Sequence, residues 1–168
     1  DEGIGSTASD SSGNANHGTL SGGKFGNALL FNGVSSYVSV PTGTLSIAGP
    51  FTVEAWIYRN ALGDLQYVLS KDDGPSMPYS NYNLLSFSGN KLALFLKGLT
   101  GGVVTKGTAY FDSGGGGIVG ETQILVDGNW HHVAGVFTGA LLQVYLDGAL
   151  DGSVAVTGTP YTNFADLW

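Results

Sequence analysis

Three groups of residues in this chain have types and spacing that could do chemistry. The first is the run Asp10-Ser11-Ser12-Gly13-Asn14-Ala15-Asn16-His17-Gly18. A hard cation such as calcium takes several oxygen ligands. Asp10, Asn14 and Asn16 supply side-chain oxygens, while the glycines let carbonyls turn inward. The same residue types also build ordinary Asx turns, which need no metal. The second group lies in the loop from Asp64 to Tyr82, where Asp72, Asp73, Tyr79, Asn81 and Tyr82 stand among prolines at 75 and 78. Aromatic faces that stack on sugar C–H surfaces, beside Asp and Asn that bond hydroxyls, are the ingredients of a carbohydrate site. A solvated loop pinned by proline is the plainer alternative. The third group is Trp130-His131-His132. Neighbouring side chains on a strand point to opposite faces, so the two histidines cannot chelate one metal as a pair. Trp130 is expected to anchor the core.

Hydrolytic chemistry finds little to work with. Glycoside hydrolysis needs two carboxylates flanking the scissile bond. The chain has three glutamates, Glu2, Glu54 and Glu121, and no two acids alternate along a strand in a Glu-x-Asp-x-Glu style. No serine sits in a Gly-x-Ser-x-Gly elbow, and no phosphate-binding loop is present. The chain is therefore read as not an enzyme.

The elements that must position these residues are strands. The 168 residues suit one domain, and 42% hydrophobic content is enough to fill one core. Charged residues make up only 11%, but eight Phe, eight Tyr and three Trp argue for a packed fold, and 28 glycines for many turns. No stretch of eleven residues keeps helical spacing without a glycine interrupting it. Period-two segments recur instead, bounded by turn residues. Residues 28–40 read as two short strands around an Asn32-Gly33 hairpin turn. Further strands are expected at 51–58, 66–70, 83–87, 91–97, 122–126, 130–137, 141–146 and 150–156. Turns fall at Ser88-Gly89-Asn90, Asp127-Gly128 and Asp147-Gly148. Four consecutive glycines at 114–117 are too flexible to hold a ladder and read as a loop. Phe31, Phe51, Val53, Ile57, Leu94, Val133, Val136, Val144 and Leu146 are the expected core. Trp56, on the other side of its strand from Phe51, Val53 and Ile57, is expected to be exposed or covered by a loop.

Charge narrows the partners. The net charge is −7, with six cations of which Arg59 is the sole arginine. Nucleic acid requires clustered cations on its phosphates, so no nucleic-acid partner is expected. Anionic membranes are disfavoured for the same reason, and no apolar run is long enough for membrane insertion. The acidic balance suits calcium or neutral sugars. The absence of cysteine rules out disulfides, thiolate zinc sites and cysteine nucleophiles. The opening Asp1-Glu2-Gly3 carries no signal-peptide pattern, as expected of a mature or trimmed chain.

Four segments in order carry a family resemblance. They are Asp10 to Leu20 with Gly26-Asn27-Ala28-Leu29-Leu30-Phe31-Asn32-Gly33 and Tyr37-Val38-Ser39-Val40, then Pro50 to Ile57, then Trp130-His131-His132-Val133-Ala134, and Val144-Tyr145-Leu146-Asp147-Gly148. The succession, over about residues 1–158, resembles the bacterial laminin-G-like, concanavalin A-like lectin/glucanase jelly-roll domains. The resemblance implies an all-β, two-sheet antiparallel jelly-roll sandwich with ligand loops at one rim. It also implies a secreted or cell-surface setting, extracellular, in enzymes or adhesins, often with bound calcium. Residues 1–168 then form a single laminin-G-like domain lacking the family's first and last strands, and with the last one a calcium ligand. The function expected is a non-catalytic extracellular carbohydrate-binding or adhesion module, its partner a glycan or cell-surface polysaccharide. The alternatives are a structural subunit of a surface layer, fibre or particle, self-associating through open sheet edges, and an accessory fragment of a secreted glycoside-processing enzyme. The apolar residues of the last ten, Tyr161, Phe164, Leu167 and Trp168, are expected to dock on the sandwich or on a neighbour.

Overall fold

The structure, a computed structural model, describes residues 6–21, 28–41, 45–63, 65–71, 81–100, 115–124 and 126–168. These contain no helix. Their strands are β1 (Thr7–Ala8), β2 (Gly18–Ser21), β3 (Tyr37–Ser39), β4 (Phe51–Tyr58), β5 (Gln66–Lys71), β6 (Tyr82–Phe87), β7 (Lys91–Lys97), β8 (Leu99–Thr100), β9 (Gly115–Gln123), β10 (Trp130–Phe137), β11 (Leu141–Leu146), β12 (Ala149–Ala155) and β13 (Thr157–Gly158). Every pairing between them is antiparallel.

The alternation Phe-Thr-Val-Glu-Ala-Trp-Ile-Tyr makes β4 a two-faced strand, with Phe51, Val53, Ala55 and Ile57 against the core. β4 pairs with β10 from Phe51↔Phe137 to Tyr58↔Trp130, so Val133 and Phe137 share that inner face. β11 and β12 complete a sheet of order β12-β11-β10-β4, and a second sheet of order β5-β6-β7-β9 packs across it. Between them lies one apolar core, with Leu84, Leu92, Leu94, Leu96 and Ile118 from one side and Val133, Phe137, Leu142 and Val144 from the other. The packing is tight at Gly135, where an added Cβ would stand 3.0 Å from a methyl of both Leu84 and Leu94.

Buried polar side chains tie the sandwich at its ends. Arg59 follows β4 and is 9% exposed. Its guanidinium donates to the Ile124 carbonyl, the Gly63 carbonyl, Gln66 Oε1 at 2.6 Å and Asn90 Oδ1 at 2.9 Å. One side chain thus links the end of β4 to the start of β5, the β6–β7 turn and the end of β9. Elsewhere the C-terminal segment threads between sheets. Leu167 bridges Val40 on one side and Lys71 on the other, and Trp168 exchanges two backbone bonds with Ser70. The small sheet β1-β2-β3 is stitched to β5 by this segment. The fully buried Lys71 ammonium donates to the Ala165 carbonyl, and Asn81 donates to the carbonyls of Ile47 and Tyr161. The tail therefore docks on its own sandwich through its backbone and Leu167, but the expectation that Phe164 docks is corrected: it is 94% exposed.

Five expectations are corrected by the coordinates. Phe31 is 46% exposed, and no Asn32-Gly33 hairpin forms. Asn32 Oδ1 instead accepts the N–H groups of Val34, Ser35 and Ser36 and curls the segment into a loop. Val136 lies three residues from Val133 and so on the opposite face, where its partner is the outward Thr52. Gly115–Gly117 are not loop but the first residues of β9, with Gly117 opposite Phe95. A Cβ on Gly117 would collide with the Phe95 ring, so the aromatic side chain covers the glycine and supplies the apolar contact the strand lacks there. Trp130 is not a core anchor; it is 48% exposed on the outer face.

Leu94→Ala, which empties a site with no solvent exposure, is expected to cost about 2–5 kcal/mol. Arg59→Lys keeps the charge but not the planar fork, and should cost roughly 1.5–3 kcal/mol. Urea denaturation of both variants checks this; a midpoint unchanged by Arg59→Lys would mean the guanidinium contacts are not holding the sheets.

Candidate functional site

The inner face of the β4–β10 pair is spent on the core, and its outer face is a cluster of rings. Trp56 is opposite His132, and Tyr58 is opposite Trp130, on successive rungs. The Trp56 and His132 ring centroids are 5.2 Å apart, those of Tyr58 and Trp130 5.7 Å, and both pairs are tilted. Exposure is 65% for Trp56, 48% for Trp130 and 44% for Tyr58. Cross-strand aromatic pairs of this kind steady a sheet by about 0.2–1 kcal/mol each, a gain that does not require so much ring area to face water. Beside the rings Glu54 Oε2 stands 3.5 Å from His132 Nε2. Tyr145 on β11 continues the same face, opposite Ala134. The arrangement offers flat apolar surfaces next to one carboxylate and one imidazole, a combination that can stack on C–H faces and hydrogen-bond hydroxyls.

His131 points the other way. It is 9% exposed, with Nδ1 2.8 Å from Asp147 Oδ2 and Nε2 3.2 Å from Asp127 Oδ1. Asp147 Oδ1 also accepts the His132 N–H, which locks the β11–β12 turn to β10. The hydrogen bond from Asp147 raises the His131 pKa above its ordinary value, against the opposing effect of burial, and Asp127 adds to the rise. Asp147 is lowered chiefly by His131, and Asp127 chiefly by its Asn129 hydrogen bond. The two carboxylates sit on opposite nitrogens of one ring, so they cannot converge on a shared metal. Among the described residues no group of three or more His, Cys, Asp or Glu could hold a metal ion.

The residues expected from sequence are scattered by the fold. Asp72, Asp73 and Tyr79 lie outside the described residues. Asn81 and Tyr82 are buried, at 0% and 2% exposure, and face no ligand surface. Asn81 pins the Ile47 and Tyr161 segments. Tyr82 donates to the Leu45 carbonyl at 3.0 Å, and burial pushes its hydroxyl up to about 12. Both correct the expectation of a sugar site there, because their polar atoms are used inside the sandwich. Asp10 organises its own loop. Its carboxylate accepts Ser12 N–H, Ser12 Oγ–H and Asn16 N–H, and the Ser12 hydrogen bonds hold its pKa below the ordinary range. Asn14 donates its side-chain amide to Ser12 Oγ. Asp10 thus offers a charged oxygen to a cation, while the Asn14 amide is turned to its neighbour.

Sequence reading did not assemble the outer cluster. Its signal was present in the alternation of residues 51–58 and in Trp130-His131-His132, but only the register that sets Trp56 against His132 joins them.

A family profile described as the concanavalin A-like lectin/glucanases superfamily matches residues 32–168. Among solved structures, domain 4 of a GH43 extracellular arabinanase from Geobacillus stearothermophilus, in complex with arabinotriose, superposes with a TM-score of 0.56. It is 20% identical over 89% of this chain and 64% of that one. Domains LG4-5 of the mouse laminin α1 chain match with a TM-score of 0.52 and 16% identity, over 77% of this chain and 30% of that one. At these identities the fold is what is shared, and the chain spans less than two thirds of either protein. No curated protein sequence gives a significant match.

The His131 clamp makes a stability prediction with a definite sign. A raised histidine pKa stabilises fully below its unfolded value of 6.5 and loses that contribution as pH rises through the folded value. The lowered aspartates stabilise above their unfolded value of 3.8 and lose it as pH falls through their folded values. The clamp is strongest between those two limits. Thermal melts of the wild type should therefore decline from pH 6.5 toward 8.5 more steeply than those of His131→Asn. Parallel profiles for the two proteins would show that the clamp does not titrate.

Proposed function

Since the chain belongs to the concanavalin A-like lectin/glucanase superfamily, we propose that it is a non-catalytic carbohydrate-binding module of an extracellular protein, with the outer face of β4 and β10 as its glycan platform. The observation that carries this reading is the exposed ring cluster of Trp56, Tyr58 and Trp130 around the Glu54–His132 pair. A contiguous exposed apolar patch on a small domain marks an interaction surface, and aromatic rings beside a carboxylate are the chemistry that grips a sugar. The arabinanase domain with the same fold was solved with a bound oligosaccharide, which supports the ligand class without identifying the ligand.

The reading is non-catalytic for a reason in the acids. A glycosidase needs one carboxyl kept protonated by a raised pKa. Asp127 and Asp147, the carboxylates that flank His131, are both shifted downward, the opposite of what a general acid needs, which supports the non-catalytic reading. Glu54 stands beside an imidazole on an open face. The extracellular setting is supported by the architecture that this chain shares with a laminin domain and an arabinanase described as extracellular.

A calcium ion on the Asp10 loop is a separate proposal. Asp10 stays ionised and oxygen-rich, but a full shell needs Asn14 to turn away from Ser12. Millimolar calcium should raise the Tm of the wild type and not of Asp10→Asn. A Tm indifferent to calcium and chelator overturns it.

The platform itself is tested by titrating the protein with soluble polysaccharides and following tryptophan emission. Trp56→Ala and Trp130→Ala should each weaken binding about tenfold or more, equivalent to ~1.4 kcal/mol, while costing no more than about 1 kcal/mol of stability. Unaltered affinity in both variants would overturn the site.

A further inference from the structure

The charges around the platform say which glycans it can take. Of the six cations in the chain, Arg59 and Lys71 are buried and hydrogen-bonded to other parts of the sandwich. Lys91 and Lys97 lie on β7, in the opposite sheet, in register with the buried Phe87 and with Gly115. Lys24 and Lys106 fall outside the described residues. The platform's own described residues thus include Glu54 and no lysine or arginine. Asp147 and Asp127, with side chains 50% and 33% exposed, stand near its Trp130 end. A sulfate or carboxylate on a sugar would lose water here and meet carboxylates but no lysine or arginine among the described residues of this face, in a chain whose net charge is −7.

The shape of the site argues about which part of a glycan it meets. Its rings rise from one sheet face on two successive rungs about 6.6–6.8 Å apart, and their high exposure leaves them open from above. A pocket that recognises a free sugar or a chain end encloses it from several sides. An open face touches a sugar from one side only, and one ring stack is worth far less than the freedom lost on association. Useful affinity then requires several sugars of one chain to lie across the Trp56–His132 and Tyr58–Trp130 rungs together, with Glu54, on the adjoining outward rung beside Trp56, accepting hydroxyl hydrogen bonds.

Resting on the reading of this face as a glycan platform, we infer that its ligand is an internal stretch of uncharged polysaccharide rather than an acidic glycan, a free sugar or a chain end. The ligand is recognised by stacking and by hydroxyl contacts to Glu54 and His132. Binding should therefore be insensitive to salt, because no ion pair with the ligand contributes.

The test is affinity electrophoresis of the wild type and Trp56→Ala on two panels, one neutral (arabinan, xylan, hydroxyethyl cellulose) and one acidic (polygalacturonate, heparin). The expected result is retardation by at least one neutral polymer, unchanged by added salt, reduced about tenfold or more in Trp56→Ala, and not reversed by the constituent monosaccharide. Retardation by the acidic panel that Trp56→Ala abolishes overturns the neutral-ligand inference while leaving the glycan platform standing. Reversal by the free monosaccharide overturns the internal-stretch inference alone. No retardation by either panel, or retardation equal in Trp56→Ala, overturns the platform and this inference with it.

Discussion

A β-strand has two faces, and a two-sheet sandwich can bury only one of them. That constraint governs β4 and β10 more than any single contact. Once Phe51, Val53, Ala55 and Ile57 join Val133 and Phe137 around the leucines of β6 and β7, the residues of the other parity on both strands are obliged to face outward. The sandwich therefore presents Glu54, Trp56, Tyr58, Trp130 and His132 as a by-product of packing the other parity. What is not a by-product is their chemistry. The outward positions of an exposed sheet usually carry charged or small polar groups, and here they carry three large rings.

The inner face is made dependable by close approach. Gly135 lets Leu84 and Leu94 press against the β10 backbone. The polar side chains at the periphery depend on that closeness. Arg59, at the end of β4, reaches acceptors of the opposite sheet only because the β4 end and the β6–β7 turn are held within the length of one side chain. His131, inward on the same strand as the outward His132, secures the turn that follows β11. A rigid β10 then fixes the tilt of Trp130 and His132 on the opposite side.

Much of this was legible in the residues, and the exceptions have physical causes. Strict alternation over residues 51–58 and the Asp-Gly and Ser-Gly-Asn turns identified β4, β6, β7, β10, β11 and β12 almost to the residue, because period and turn chemistry are local properties. Val136 was misplaced by counting hydrophobicity instead of parity. The glycine run at the start of β9 was misread because the Phe95 ring that compensates for it comes from another strand. Asn81 and Tyr82 have the right types for a sugar site, yet their depth depends on β5, β7 and the C-terminal segment, none adjacent in sequence. The ring cluster escaped for the same reason, since half of it comes from residues 54–58 and half from 130–132, and nothing in either segment states the register.

The seam made by Leu167 has a further consequence, for the order in which the molecule can be completed. Val40 and Ser70 receive their partners from residues 167 and 168, and Ser39 hydroxyl meets Asp166 across 127 positions. Contacts of such separation are the last to compensate for the chain entropy they remove. During vectorial synthesis the small sheet β1-β2-β3 emerges well before residues 166–168, which join it to β5. The strands from β4 to β12 can meanwhile pair with one another. Closure of the seam between β3 and β5 thus waits on residues far downstream of both.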